Sequence, residues 1–116
     1  RQMCIRDRLR TVSKLCKELK IDKKEFFGGS MTISSLGGIG GVTFFTPIIN
    51  PPEVSILGVG KSYDKVIKIN DQFTSRKILP ISLSYDHRVI DGAEAARFVV
   101  HLSQSLGKDF AFKLAV

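Results

Sequence analysis

The chain has 116 residues, about the length of one small domain, and its 43% hydrophobic and 25% charged residues are typical of globular proteins. No apolar run reaches the roughly 18 residues of a membrane-spanning helix, and residues 1–10 lack the apolar centre of a secretory signal. The formal net charge of +7 is concentrated in residues 1–25, which hold nine Lys/Arg, four Asp/Glu and no aromatic residue that could stack on bases. Neither a membrane nor a nucleic acid is therefore expected as a partner.

The first predicted element is a helix over residues 9–20. Its apolar side chains follow helical spacing, with Lys and Arg between them: Leu9, Val12, Leu15, Cys16 and Leu19. Residues 30–34, "SMTIS", are a short β-prone run. Residues 35–41, "SLGGIGG", are expected to form a loop, because four glycines in five residues hold regular structure poorly.

Four further strands and a final helix are predicted downstream. Residues 54–59 read as a buried strand, and residues 65–78 as a hairpin that turns at Asn70 and Asp71. Residues 78–85 form the next strand, in which Pro80 indicates an edge position or an irregular start. The final helix begins after an N-cap at Asp91, and one face of it carries Ala95, Phe98, Leu102 and Leu106. The order α-β-β-β-β-β-α predicts an α+β domain with an antiparallel or mixed sheet.

The charged cluster between the last strand and the last helix holds the main catalytic candidate. His87 is flanked by Asp86, Arg88 and Asp91, ionisable groups that can set the orientation and tautomer of an imidazole. In the alternative interpretation Asp91 only caps the helix, and His87 is solvated beside it. His101, inside the predicted helix, is interpreted as a surface residue.

Two serines and two cysteines complete the list of candidates. Ser34 or Ser35 could act as a nucleophile with His87 and Asp91, but no G-x-S-x-G motif is present, and donating to an oxyanion requires only a fixed hydroxyl. The glycine loop matches no phosphate-binding motif. Cys4 and Cys16 have no metal-site spacing and are too few for a disulfide scaffold, so no metal and a reducing compartment are expected.

Several motifs in order resemble one family. "MTISSLGGIGGVTFFTPIINPPEVSILGVGKS", followed by "ILPISLSYDHRVIDGAEAARF", is similar to the catalytic domain of the 2-oxo acid dehydrogenase acyltransferases, the E2 components. The resemblance covers residues 28–106 and is strongest to members that serve pyruvate dehydrogenase complexes. It implies a chloramphenicol acetyltransferase-like two-layer sandwich with a mixed sheet. Residues 9–116 would be the C-terminal half of that domain.

The resemblance also implies a reaction. It is acyl transfer, with acetyl favoured, between the substrates coenzyme A and dihydrolipoamide, whose lipoyl group belongs to a domain outside this chain. His87 would be the general base on the thiol, and Ser34 would stabilise the tetrahedral oxyanion. Asp91 would support the site through an orienting ion pair. The alternatives are succinyl or branched-chain transfer by the same fold, and a non-catalytic core subunit.

The family further implies partners. Its catalytic domains form homotrimers that build a larger core and work with E1 and E3 components, in a bacterial cytoplasm or, in eukaryotes, a mitochondrial matrix. His87 would come from one subunit and Ser34 from its neighbour. Three features of this chain depart from the family. The family's catalytic domain is about twice as long as this chain, and residues 1–8 are expected to be foreign or disordered. The segment "GGVTFFTP" carries one extra residue, which leaves both Ser34 and Ser35 open as the oxyanion donor. This chain alone is expected to be inactive and to expose apolar surface.

Overall fold

The structure is a computed structural model that describes residues 2–107. Its elements follow the predicted order, with one added 3-10 helix, and the chain divides into two units, Arg1–Ser30 and Met31–Val116. Helix α1, Gln2–Lys17, and the 3-10 helix Lys23–Phe26 belong to the first unit. The five strands and helix α2 belong to the second.

Helix α1 begins at Gln2, seven residues before the predicted start at Leu9. It ends three residues before the predicted Lys20, and the hydrogen bonds at its end explain why. Leu19 has a positive φ of 55°, and the N–H of Lys20 donates to the carbonyl of Leu15 at 2.9 Å. This left-handed turn satisfies the last carbonyls of the helix and directs the chain away from its axis. That residues 1–8 are foreign or disordered stays a prediction.

The second unit contains a mixed three-stranded sheet in the order β1-β2-β5. Strand β1, Thr32–Ser35, runs parallel to β2, Ser55–Val59, and β5, Ile81–Tyr85, runs antiparallel to β2. The strand predicted over residues 78–85 therefore begins at Ile81, directly after the buried Pro80. Strand β5 is also an edge strand of this sheet, so both features that Pro80 indicated are present.

The predicted hairpin is confirmed and forms a separate two-stranded sheet. Strands β3, Tyr63–Ile69, and β4, Gln72–Ile78, pair in register from Tyr63 with Ile78 to Ile69 with Gln72. Asn70 and Asp71 have φ angles of 49° and 62°, which a two-residue turn between twisted strands requires. Nearly all side chains of the two strands are exposed.

Strand β2 and helix α2, Gly92–Ser105, provide the buried core of the described residues. The buried hydrophobic side chains are Ile56, Leu57 and Ala95. Of the predicted helical face, Ala95 is buried and Leu102 half-buried, whereas Phe98 and Leu106 are exposed at 42% and 46%. The face is therefore only partly covered within this chain.

Candidate active site

His87 lies in a short turn between β5 and α2, and this turn is fixed to the central strand. The N–H of Asp86 donates to the carbonyl of Val54, the residue before β2, at 2.8 Å. The carbonyl of Asp86 accepts from the N–H groups of both Val89 and Ile90 at 3.0 Å. The backbone on both sides of His87 is thus held by hydrogen bonds, although its side chain is exposed.

The side chains of Asp86 and Arg88 bind each other rather than His87. Arg88 Nε donates to Asp86 Oδ1 at 3.0 Å and Nη2 to Oδ2 at 2.6 Å, and the Arg88 backbone N–H also reaches Oδ1 at 3.0 Å. These side-chain hydrogen bonds, followed by the backbone one, lower the pKa of Asp86 from 3.8 to about 2. The same pairing raises the pKa of Arg88. The expectation that both groups orient the imidazole is therefore corrected: they stiffen the turn that carries it.

Two residues that the sequence analysis did not single out lie beside the imidazole. The ring centroids of Tyr85 and His87 are 5.7 Å apart, with the planes tilted by 41°. A methyl group on Gly92 would lie 3.7 Å from Tyr85 Oη and 3.9 Å from His87 Nε2, so both side chains stand over the first turn of α2. The signal for Tyr85 was present in the sequence, as the last residue of a strand two positions before the histidine.

Asp91 caps helix α2, as predicted. Its Oδ1 accepts from the N–H of Glu94 at 2.7 Å, and its backbone is extended, which is the geometry of an N-cap. Among residues 2–107, no ion pair joins Asp91 to His87. The structure thus shows the capping role of Asp91.

Ser34 and Ser35 face opposite sides of the sheet. Ser34 is half-buried and lies level with Gly58 on β2 and Ser82 on β5, whereas Ser35 is exposed. On the Ser34 side, Ser82 Oγ donates to the carbonyl of Phe45 at 2.6 Å. A Cβ on Gly58 would come within 2.5 Å of Ser82 Oγ, so this row of the sheet is packed tightly beside Ser34.

The structure does not bring Ser34 and His87 of one chain together. Ser34 is level with Gly58, whereas Tyr85 is level with Ser55, so the two levels lie about 10 Å apart along β2. Strands β1 and β5 also lie on opposite sides of β2, which adds about 10 Å across the sheet. A catalytic hydrogen bond spans about 3 Å, so a Ser34-His87-Asp91 triad within one chain is excluded.

Residues 2–107 contain no group of three or more His, Cys, Asp or Glu that could hold a metal ion. The same part of the chain contains no helix with the length and apolar character needed to cross a membrane.

Comparison with known proteins identifies the family. The profile of the family "2-oxoacid dehydrogenases acyltransferase (catalytic domain)" matches residues 2–111. The chain belongs to this family. A relative from Cupriavidus necator, the dihydrolipoyllysine-residue acetyltransferase component of pyruvate dehydrogenase complex, is 56% identical over 95 residues, which are 82% of this chain and 17% of that protein. This acyltransferase segment therefore spans less than a fifth of that relative.

Two solved structures show the same fold. One is dihydrolipoamide acetyltransferase of Azotobacter vinelandii, studied for the role of a serine, a histidine and an asparagine in its catalytic mechanism. It matches with a TM-score of 0.83 at 46% identity, over 90% of this chain and 43% of that one. The other is the cubic core of a pyruvate dehydrogenase multienzyme complex, which matches with a TM-score of 0.80 at 46% identity, over 88% of this chain and 42% of that one. The predicted chloramphenicol acetyltransferase-like α+β fold, present as a partial domain, is confirmed.

Proposed function

We propose that this chain is the C-terminal half of an acyltransferase catalytic domain that transfers acetyl groups between coenzyme A and a dihydrolipoyl group. The observation that carries the proposal is His87, exposed on a turn whose backbone is fixed to β2, in a chain of this family. The acetyl group is favoured because the relative with 56% identity is named as an acetyltransferase.

In the proposed reaction His87 acts as a general base. Thiols with a pKa near ~8.5 are mostly protonated at neutral pH, so a base is needed to form the thiolate. His87 takes the proton from the thiol of coenzyme A, and the thiolate sulfur attacks the carbonyl carbon of the acetyl-dihydrolipoyl thioester. The carbonyl oxygen becomes an oxyanion that accepts a hydrogen bond from the Ser34 hydroxyl. When the intermediate collapses, the C–S bond to the lipoyl sulfur breaks, and the departing thiolate takes the proton from His87.

Ser34 would serve a site on a neighbouring subunit. Within one chain Ser34 lies at the far end of the sheet from His87, so a Ser34 hydroxyl close to His87 would come from a second copy. A homotrimer with sites between subunits meets this requirement. The matched cubic core of a multienzyme complex supports assembly of such subunits into a larger core, to which E1 and E3 components would bind. Because the compared relatives are bacterial, we also propose the bacterial cytoplasm as its location, which cell fractionation would test.

The first test measures acetyl transfer from acetyl-CoA to dihydrolipoamide by the longer polypeptide that contains this chain. His87→Ala should lower kcat by about 10² to 10⁴, the usual contribution of a general base. His101→Ala is the matched control, because this exposed histidine of α2 lies outside the site, and it should leave the rate unchanged. Full activity of His87→Ala would overturn the role of His87 as the base, whereas no transfer by the parent protein would favour the alternative of a non-catalytic core subunit.

The shared site has a further consequence for mixed assemblies. Inactive His87→Ala and Ser34→Ala proteins, refolded together, should regain activity, because about a quarter of the sites in random trimers pair an intact histidine with an intact serine. No recovery in verified mixed trimers would show that both groups act within one subunit.

A further inference from the structure

Thr32 and Glu53 connect strand β1 to the segment before β2. The Thr32 hydroxyl donates a hydrogen bond to Glu53 Oε2, and both residues are half-buried although they are 21 positions apart in sequence. Glu53 itself is fixed, because its backbone N–H donates to the carbonyl of Asn50 at 3.0 Å and closes a turn. Strand β2, the most buried strand, begins two residues later.

Strand β1 has few other restraints. It is four residues long, lies at the edge of its sheet and pairs only with β2 among the described strands. It is followed by the glycine-containing loop of residues 37–41. Thr32 and Ser34 are two positions apart on this strand, so their side chains lie on the same face. The hydrogen bond from Thr32 therefore restrains the face of β1 that presents Ser34.

The same segment also contacts the histidine turn. Val54, the neighbour of Glu53, accepts the N–H of Asp86 at 2.8 Å, directly before His87. Glu53 thus contacts strand β1, which carries Ser34, through its side chain, and Val54 contacts the turn that carries His87 through its backbone. A substitution of the Glu53 side chain removes only the first of these contacts.

We propose that Glu53 is a positioning residue that holds Ser34 at the oxyanion through its hydrogen bond with Thr32. This inference rests on the proposed function, because it assumes that the Ser34 hydroxyl meets the developing charge. A displacement of about 1 Å at a catalytic group can lower the rate by as much as about 10². Glu53 acts on the transition state only through Ser34, so its loss should lower kcat and leave the KM values unchanged.

The experiment compares matched variants of the longer polypeptide in the acetyl-transfer assay. Glu53→Ala and Thr32→Val, each of which removes one partner of the hydrogen bond, should lower kcat by about 10-fold to 10²-fold. Glu53→Gln keeps a side-chain oxygen acceptor and should recover most of the rate. Glu18→Ala, which removes an exposed carboxylate of the first unit, is the control and should match the parent.

The decisive measurement places Glu53→Ala in the Ser34→Ala background. Ser34→Ala alone should lower kcat by about 10² to 10³, the cost of one oxyanion donor. If Glu53 acts through Ser34, its substitution should add less than about a 3-fold further loss. The pH dependence of kcat/KM, which reports the base of the free enzyme, should be the same in Glu53→Ala as in the parent.

The possible failures are distinguishable. Glu53→Ala with full kcat beside an impaired Ser34→Ala overturns the positioning role and leaves the proposed function intact. If the fold-losses in kcat of Glu53→Ala and Ser34→Ala multiply in the double variant, the positioning role is also overturned, because Glu53 would then affect catalysis independently of Ser34. Full activity of Ser34→Ala overturns both the oxyanion role of Ser34 and the inference built on it. Thermal unfolding of each variant identifies losses that come only from a smaller folded fraction.

Discussion

The charge of Asp91 should be dispensable for catalysis, because the structure uses its carboxylate to cap a helix. Asp91 Oδ1 accepts from the N–H of Glu94 at 2.7 Å, and no ion pair with His87 is present within residues 2–107. Asparagine caps helices as well as aspartate does, so Asp91→Asn keeps the hydrogen bond and loses only the interaction of a negative charge with the helix N-terminus. That interaction is worth about 0.3–1 kcal/mol.

Asp91→Ala removes the cap as well and should cost about 1 kcal/mol more in free energy of unfolding. The assay is acetyl transfer on the longer polypeptide, together with denaturant unfolding of each variant. We expect Asp91→Asn to keep its kcat within about 5-fold, since at most about 1 kcal/mol is at stake.

Asp22 offers a matched control for the cap. It caps the 3-10 helix Lys23–Phe26 by accepting the N–H of Lys24 at 3.0 Å, in the unit that does not contain His87. Asp22→Ala should lower stability without changing kcat per folded protein. A loss of kcat beyond about 10-fold in Asp91→Asn, with unfolding like the parent, would refute the reasoning and restore an orienting ion pair in the assembled site.

Two further predictions concern stability and pH. A Cβ on Gly60 would lie 1.8 Å from the Thr43 carbonyl oxygen, so Gly60→Ala must displace buried backbone and should lower the free energy of unfolding by about 3 kcal/mol, measured with denaturant. The control is Gly38→Ala, whose added Cβ would meet nothing within 4 Å. Equal denaturation midpoints for the two variants would contradict the packing argument. Because the pKa of Asp86 falls from 3.8 unfolded to about 2 folded, its stabilising pairing with Arg88 should be complete above about pH 4 and be lost as the pH falls through about 2. A carboxyl NMR titration with its midpoint near 3.8 would show that the pairing is absent in solution.

The sequence predicted those elements whose cause is local. The hairpin turn required two residues that tolerate positive φ, and Asn70 with Asp71 supplied them. The start of α2 required an N-cap, which Asp91 supplies, followed by apolar residues at helical spacing, of which Ala95 is the first. The start of α1 was missed because Met3, Cys4 and Ile5 are consecutive and show no helical spacing by themselves, although Ile5 lies four residues before Leu9.

The motifs single out candidate site residues, whose catalytic roles stay a prediction, but they do not predict the contacts of those residues. His87 and Ser34 followed from the motifs, but the pairing of Asp86 with Arg88 depends on the conformation of the turn between them. The contact of Thr32 with Glu53 spans 21 positions and exists only after β1 and β2 have paired in one register. Hydrophobic patterning fixes which strands form but not which polar side chains then meet across them.

The register of β1 on β2 decides which of the two adjacent serines the sheet presents beside Gly58 and Ser82. Because side chains alternate across a strand, a slip of β1 by one residue would bring Ser35 to the face that Ser34 occupies. The parallel backbone ladder alone resists such a slip weakly, since β1 has only four residues and one partner strand. The same slip would turn the Thr32 hydroxyl to the opposite face, away from Glu53. The Thr32–Glu53 hydrogen bond is therefore a selective restraint: it can form only in the register that presents Ser34.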